Sequence, residues 1–279
     1  MITRIKYLIF ILLLFPLCMQ ASTHPKDTLR KFLPGWYYAA QGGINFPSNK
    51  TANFHRGDGI NSINRFLAYQ QNYYIIYQLL GNKTFTYDST NLPQEMKYSP
   101  AMEMGFHFRA RGKDHMFFFA ELNFYKARTS DFFTLNIDDP TYQFSDDRIV
   151  KCGITGVENR NDMNIGFGKI FYKKKLVSPF FSVALNINNT KVTKAEIQVM
   201  NSPFSVYNAY YSYNQIEEGG IGLGGMASFG MNAIFNRNFS MELYPQFYWK
   251  TINLAEYKRS DFAFSLCLRF LFHNYVNED

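Results

Sequence analysis

The sequence predicts an all-β chain closed on itself: an antiparallel transmembrane β-barrel of eight or ten strands with long extracellular loops. Three observations predict it. First, the stretch 262–272 places Phe262, Phe264, Leu266, Leu268, Phe270 and Phe272 at every second position, with Ala, Ser, Cys, Leu and the charged Arg269 between them. A period of two, apolar on one face and tolerant of a cation on the other, describes a strand that meets two different solvents. A strand buried in a soluble parallel sheet is apolar nearly throughout. Second, seven further stretches alternate in the same way. Third, the links between them are short near 113, 175 and 237 and long over 47–97, 129–162, 191–218 and 253–260. Periplasmic turns and longer extracellular loops give that pattern. A sheet in lipid must also close, because an open edge finds no hydrogen-bond partners there.

In chain order, the first strand is Trp36 to Phe46, with Trp36, Tyr38, Ala40, Ile44 and Phe46 facing lipid and Gln41, Gly43 and Asn45 facing inward. Ala101 to Arg111 sends Met102, Met104, Phe106 and Phe108 outward, and Glu103, Gly105, His107, Arg109 and Arg111 inward. After a turn at 112–114, Met116 to Arg128 directs Phe118, Ala120, Leu122 and Phe124 to lipid. Asn164 to Tyr172 places Lys169 on the face of Ile165, Phe167 and Phe171, so either the lysine snorkels or a bulge shifts the register. Phe180 to Thr190 alternates Phe181, Val183, Leu185 and Ile187 with polar or small residues, and Ile221 to Phe235 sets glycines against Leu223, Ala227, Phe229 and Met231. Phe239 to Ile252 opposes Met241, Leu243, Phe247 and Trp249 to Glu242, Tyr244, Gln246, Tyr248 and Lys250. Pro245 interrupts its outer face, where a bulge is the expected remedy because proline donates nothing to the ladder. The stretch 262–272 is the eighth.

The first long link leaves two readings open. Ile60, Ile63, Phe66, Leu67, Tyr74, Tyr77 and Leu80 recur at helical spacing after a candidate cap at Asp58, although Gln70 breaks the stripe. Alternatively Tyr69 to Leu79 is a strand turned by Gly81-Asn82-Lys83 into 84–88, which makes ten strands.

Composition agrees with a membrane barrel. Of 279 residues 18% are aromatic and 18% charged. Lipid-facing and lumen-facing residues cancel to a mean hydropathy of −0.24. Residues 1–21 read as a signal peptide, with Arg4 and Lys6, an apolar run from Ile9 to Leu17, and cleavage after Ala21. A lipoprotein signal ending at Cys18 is disfavoured by Leu17 before it. A periplasmic lead over 22–34, the barrel over 35–272 and a tail over 273–279 complete the division. Cys152 and Cys267 lie in unlike contexts and do not suggest a disulfide or a metal site. The net charge of +7 suits anionic lipid headgroups, and nucleic acid is not expected of a secreted chain without a helical basic face.

The segments Gly35-Trp36-Tyr37-Tyr38, Ala120 to Tyr125, Pro179 to Val183 and Leu268 to Phe272 resemble the small outer-membrane barrels of the OmpX/OmpA-type and PorT-like families. That resemblance implies an outer-membrane location among lipids including lipopolysaccharide. It also implies insertion by the barrel-assembly machinery with periplasmic chaperones, and no cofactor. The loops are longer than those of OmpX, so loop-borne functions do not transfer.

Chemistry, if any, lies on the polar face. Glu103, His107, Arg109, Glu121, Glu242, Lys250 and Arg269 point inward and are expected to form an ion-pair network that fills the lumen, because single buried charges are costly. A turn at 112–114 sets Gly105 opposite Glu121, with His107 and Glu103 as diagonal neighbours, and across the last hairpin Glu242 is expected near-diagonal to Arg269. His55 lies beside Asp58 with no serine partner at a catalytic spacing, and Gly219 to Gly225 lacks the helix that phosphate binding needs. Asp138-Asp139 and Asp146-Asp147 read as solvated loop charges rather than a cation site, and Arg111, Lys113, Lys173 to Lys175 and Arg237 as basic residues of the turns at the membrane surface. The function expected is non-enzymatic: a barrel presenting surface loops to an extracellular partner, for adhesion, surface interaction or envelope integrity. The alternatives are a small-solute pore, a component of a secretion assembly and, last, a lipid-modifying enzyme.

Overall fold

A computed structural model of the chain describes residues 34–56, 63–112, 114–138, 148–171, 177–206, 219–235, 238–254 and 257–273. The signal peptide, residues 22–33 of the lead, residues 274–279 of the tail, Asp58, Ile60, Asp139, Asp146, Asp147 and the basic turn residues Lys113, Lys173 to Lys175 and Arg237 lie outside them, while His273 belongs to the last strand rather than the tail. Eight long strands form the ring: β1 (Gly35–Phe46), β2 (Ala101–Arg111), β3 (Met116–Asp138), β4 (Ile149–Ile170), β5 (Val177–Val199), β6 (Gly219–Ile234), β7 (Phe239–Leu254) and β8 (Tyr257–His273). Each pairs antiparallel with its neighbours in sequence, and β1 pairs with β8 from Tyr37↔His273 to Phe46↔Phe264, which closes the sheet.

The exterior is apolar. Met102 is 81% exposed, Leu185 74% and Phe262 68%, exposures that would be untenable for a whole surface in water. The lipid-facing set of β8 (Phe262, Phe264, Leu266, Leu268, Phe270 and Phe272) lies on this outer face. From Phe262 to Phe272 the strand runs about 33 Å, or about 25 Å across the layer at a ~40° tilt, the height of a membrane barrel's apolar band. The chain is thus a transmembrane β-barrel of the outer-membrane type. By the rule for such barrels the end carrying the short turns is periplasmic. Lys169 stands on the outer face at the lower border of the band, paired in unbroken register with Met116 and Phe181. It therefore snorkels, and no bulge accommodates it.

Several expectations are corrected. The ring holds eight strands, and Tyr69 to Leu79 is not one of them: the link folds as helices α1 (Ile63–Ala68) and α2 (Gln70–Leu79), broken at the extended Tyr69. Gly81 (φ 72°) and Asn82 (φ 60°) end α2, with the Asn82 amide donating to the Tyr77 carbonyl. A Gly-Asn pair serves a helix end as readily as a hairpin, so these residues did not separate the two readings. The buried stripe is Ile63, Phe66, Leu67, Ile76 and Leu80, while Tyr74 points to solvent. The described parts of the links at 129–162, 191–218 and 253–260 are largely strand: β3, β4 and β5 continue far above the band, and β7 and β8 pair up to Leu254↔Tyr257. At Pro245 the register passes from Leu243↔Met231 to Gln246↔Ser228 without an inserted residue, so the ladder skips a step and no bulge forms.

A bulge does occur in β5. Glu158 pairs with Val192 but Val157 with Lys194, leaving Thr193 as the extra residue. Below it the even-numbered residues from Ser182 to Val192 face inward, and above it Ala195, Ile197 and Val199 do. One residue thus exchanges the faces of the strand where it leaves lipid. The inner face of the extension is apolar: Phe133, Leu135, Cys152, Ile154, Ile197 and Val199 pack with Ile63, Phe66, Leu67, Ile76, Met96 and Tyr98 from the first link. The free edges of the extension are also covered. Tyr98–Ser99 and Thr84–Thr86 pair with β3, and Ser202–Ser205 with β5, which leaves fewer open rims for association. The outcome is a folded cap over the extracellular mouth.

Candidate functional site

Inward alternation along six strands brings the polar residues into stacked layers. In the lowest, the Arg109 guanidinium donates twice to Glu242, at 2.7 and 2.9 Å, and Arg269 donates to the same carboxylate at 2.8 Å. Arg269 also reaches Glu121, and its Nε donates to Gln41 at 2.8 Å. His107 sits directly opposite Glu121, with Nδ1 at 3.2 Å from Oε2, while Nε2 accepts from Arg109 Nε at 3.3 Å. An arginine only donates, so Nε2 carries the lone pair and Nδ1 the proton. Asn123, Asn164 and Gln246 donate to the other Glu121 oxygen at 2.7, 3.1 and 2.7 Å. Two carboxylates meet two guanidiniums in a layer with no net charge, each well supplied with partners.

Two register expectations change. His107, not Gly105, faces Glu121, because the hairpin turn takes in His115 at φ 64°; Glu242 pairs with Arg269 directly rather than diagonally. Glu103 stands apart from these ion pairs and accepts from Asn45 at 2.7 Å and Ser265 at 2.9 Å. Arg111, read as a surface turn residue, is buried beside His115 at the periplasmic end.

Above this layer Lys250 pairs with Asp162 at 2.5 Å and donates to the Tyr125 hydroxyl at 3.1 Å. Higher still, beyond the apolar band, lies a third cluster that joins barrel to cap. His55 Nε2 is 2.9 Å from Glu158, the Tyr98 hydroxyl donates to the same oxygen, and Arg160 donates to Glu158 at 2.8 Å and to Thr51 at 2.9 Å. Gly156 lies under the imidazole, where an added Cβ would stand 2.3 Å from His55 Cγ. Only glycine leaves room for the ring. Sequence reasoning missed Glu158, Arg160 and Asp162, and it placed His55 beside Asp58 instead. Their inward alternation was hidden because the outward residues at this level, Asn159 and Asn161, are polar too.

Burial alone would raise the Glu158 carboxyl, but Arg160 and the bonds from His55 and Tyr98 hold it down to about 2. A carboxyl lowered from an unfolded value of about 4.3 stabilises the fold fully above that pH and loses the benefit as pH falls toward its folded value. The cap is therefore expected to loosen between pH 4.3 and about 2, by on the order of 3 kcal/mol. Faster hydrogen exchange over 49–98 at pH 3 than at pH 5, after correction for intrinsic rates, would register it, and Glu158→Gln should flatten the dependence. A pH-independent wild type would refute the latch.

No family model and no curated protein matches the sequence. Solved structures do. The chain is similar to Neisserial surface protein A at 10% identity, over 86% of this chain and 97% of that one, with a TM-score of 0.41. It is similar to the outer membrane protein OprG of Pseudomonas aeruginosa at 8% identity, over 88% and 100%, with a TM-score of 0.42. To Ail, the attachment invasion locus protein of Yersinia pestis, it is 9% identical over 87% and 100%, with a TM-score of 0.32. The likeness is one of general form. The fold itself rests on the closed ring and its apolar exterior.

The layers hold charges but present them to one another. Among the described residues no group of three or more His, Cys, Asp or Glu is placed to hold a metal ion. Cys152 and Cys267 are both buried, unpaired thiols in separate packing clusters.

Proposed function

We propose that the protein is a non-enzymatic outer-membrane barrel that presents a folded cap at the cell surface for contact with an extracellular partner. The cap's build supports this reading best. It has its own apolar core, it is latched to the barrel by charge, and it leaves Tyr69, Tyr74 and Ile75 of the α2 region 41%, 58% and 38% exposed. Exposed tyrosines and an exposed isoleucine on a segment that packs on its own apolar core suit a binding surface better than an inert lid. The lumen supports it as well. An eight-stranded ring is only wide enough for side chains, and here Arg109, Glu121, Tyr244, Gln246 and Glu242 are each 1% exposed or less.

Planar bilayers and surface labelling test the proposal together. The purified protein is expected to give no discrete conductance steps at moderate voltage. A Tyr74→Cys variant on intact cells is expected to react with a membrane-impermeant maleimide well above the wild-type background, Cys152 and Cys267 being buried. Regular channels would convert the reading to a pore, and an unlabelled Cys at 74 would remove the cap from the cell surface.

A further inference from the structure

The outer wall of the barrel carries a second feature that neither the lumen nor the cap explains. On β3, β4 and β5 the cross-strand registers line up row by row. Leu122, Met163 and Ile187 form the last fully apolar row, followed by Phe124, Asn161 and Asn189. Next comes Lys126–Asn159–Lys191, and above it Arg128–Val157–Lys194. All four cations are exposed on the outward face.

Their height is decisive. Two residues up a strand tilted by ~40° is a rise of about 5 Å, so on β3 Lys126 and Arg128 stand about 5 and 10 Å above Phe124, the last aromatic of that strand's band. That is the depth of headgroups outside a hydrocarbon core. Neighbouring strands are about 4.8 Å apart, so Lys126 and Lys191 flank Asn159 at a spacing of about 10 Å, wide enough to seat a phosphate between them. The cations are concentrated in one sector. Beyond Trp249 and Phe262, β7 offers Thr251 and Asn253 on its outward face, and β8 offers Ser260 and Lys258 with the exposed Arg259 between them. Glu196, one row higher, holds Lys194 at 2.7 Å and is the acidic member of the patch. β3, β4 and β5 all continue past this level into the wall of the cap, β5 through its bulge at Thr193, which sets Lys191 and Lys194 on the same outward face.

We propose that this sector is a binding site for the phosphorylated headgroup of an outer-leaflet lipid, with acyl chains on Leu122, Phe124, Met163 and Ile187 and phosphate between the cation rows. The apolar row directly beneath the cations selects a lipid over a free anion, because one molecule can satisfy both. Asn159 and Asn161 add amide donors between the charges. The site is separate from the proposed surface contact and stands or falls without it.

Native mass spectrometry of the purified, folded full chain tests it, with phosphatidic acid and phosphatidylcholine offered together as probes. The wild type is expected to retain phosphatidic acid preferentially. The variant K126Q/R128Q/K191Q/K194Q should lose that preference by about tenfold or more, since each cation near an anionic surface contributes. Lys258→Gln should leave it unchanged. Inorganic phosphate at millimolar concentration should not displace the lipid. Equal retention of the two lipids by wild type, an unaltered preference in the quadruple variant, an equal loss in Lys258→Gln, or displacement by inorganic phosphate would each overturn the proposal. Heat-modifiable gel migration confirms that each variant is folded. Should the quadruple variant fail that check, K126Q/K191Q and R128Q/K194Q carry the same comparison in halves.

Discussion

Replacing Glu242 with leucine is expected to destabilise the barrel by about 3–5 kcal/mol, the cost of stranding a buried charge after its partner is removed. Here two cations are stranded at once, since Arg109 and Arg269 both donate to this carboxylate. Gln41 and Glu121 still hold part of Arg269, but Arg109 retains only the His107 nitrogen, at 3.3 Å, and the Phe117 ring, at 4.0 Å from its centroid. Urea unfolding followed by the fluorescence of Trp36 and Trp249, both on the lipid face, would read the loss as a lower midpoint. Combining Glu242→Leu with Arg109→Met should recover part of it, because the second change removes the stranded charge. An unchanged midpoint in the single variant would mean that the layer contributes nothing net. No recovery in the double variant would mean that Arg109 is held by other groups.

Replacing Ile197 and Val199 together with aspartate is expected to release the cap while leaving the membrane ring intact. Both side chains are fully buried in the apolar core of the cap, and losing their burial forfeits about 4 kcal/mol at about 2 kcal/mol each, before the cost of placing two carboxylates there. Deleting Thr193 should be far milder, because Lys194 then follows Val192 directly and still faces Val157, which keeps Ile197 and Val199 inward. In the double aspartate variant trypsin should cut within 49–98 many times faster, while the unboiled protein still migrates as a folded barrel. Protection equal to wild type would show that these side chains do not hold the cap. Loss of the folded gel band would show that cap and ring are one cooperative unit.

These outcomes mark where the sequence was readable. Within lipid each strand meets two solvents, so the parity of Phe106 against His107, or Phe270 against Arg269, declares which side faces out. Above lipid that contrast disappears. Along 149–161 polar residues occur on both faces, and the run reads as a loop although it is strand. The Thr193 bulge hides the continuation of β5 in a different way, by moving the inward-facing residues from even to odd positions partway along. The hairpin register around 112–115 depended on a left-handed residue at His115, which a sequence gives little reason to anticipate. In the first link the local signals at Gly81 and Asn82 served helix and hairpin alike, and tertiary packing of Ile76 against the cap decided between them. The lumen residues were legible as a set. Their partners were not, because pairing across the barrel depends on registers that period-two reasoning leaves undetermined.

The seam between β1 and β8 joins the beginning of the ring to its end, with Gln41 opposite Arg269. A growing chain released after β7 would therefore have two raw rims and no way to shelter them. Cutting the gene before codon 262 should yield a product that never becomes protease-resistant in vesicles, however many of its earlier strands are perfect. The timing of maturation is thus written into the strand that completes the ring.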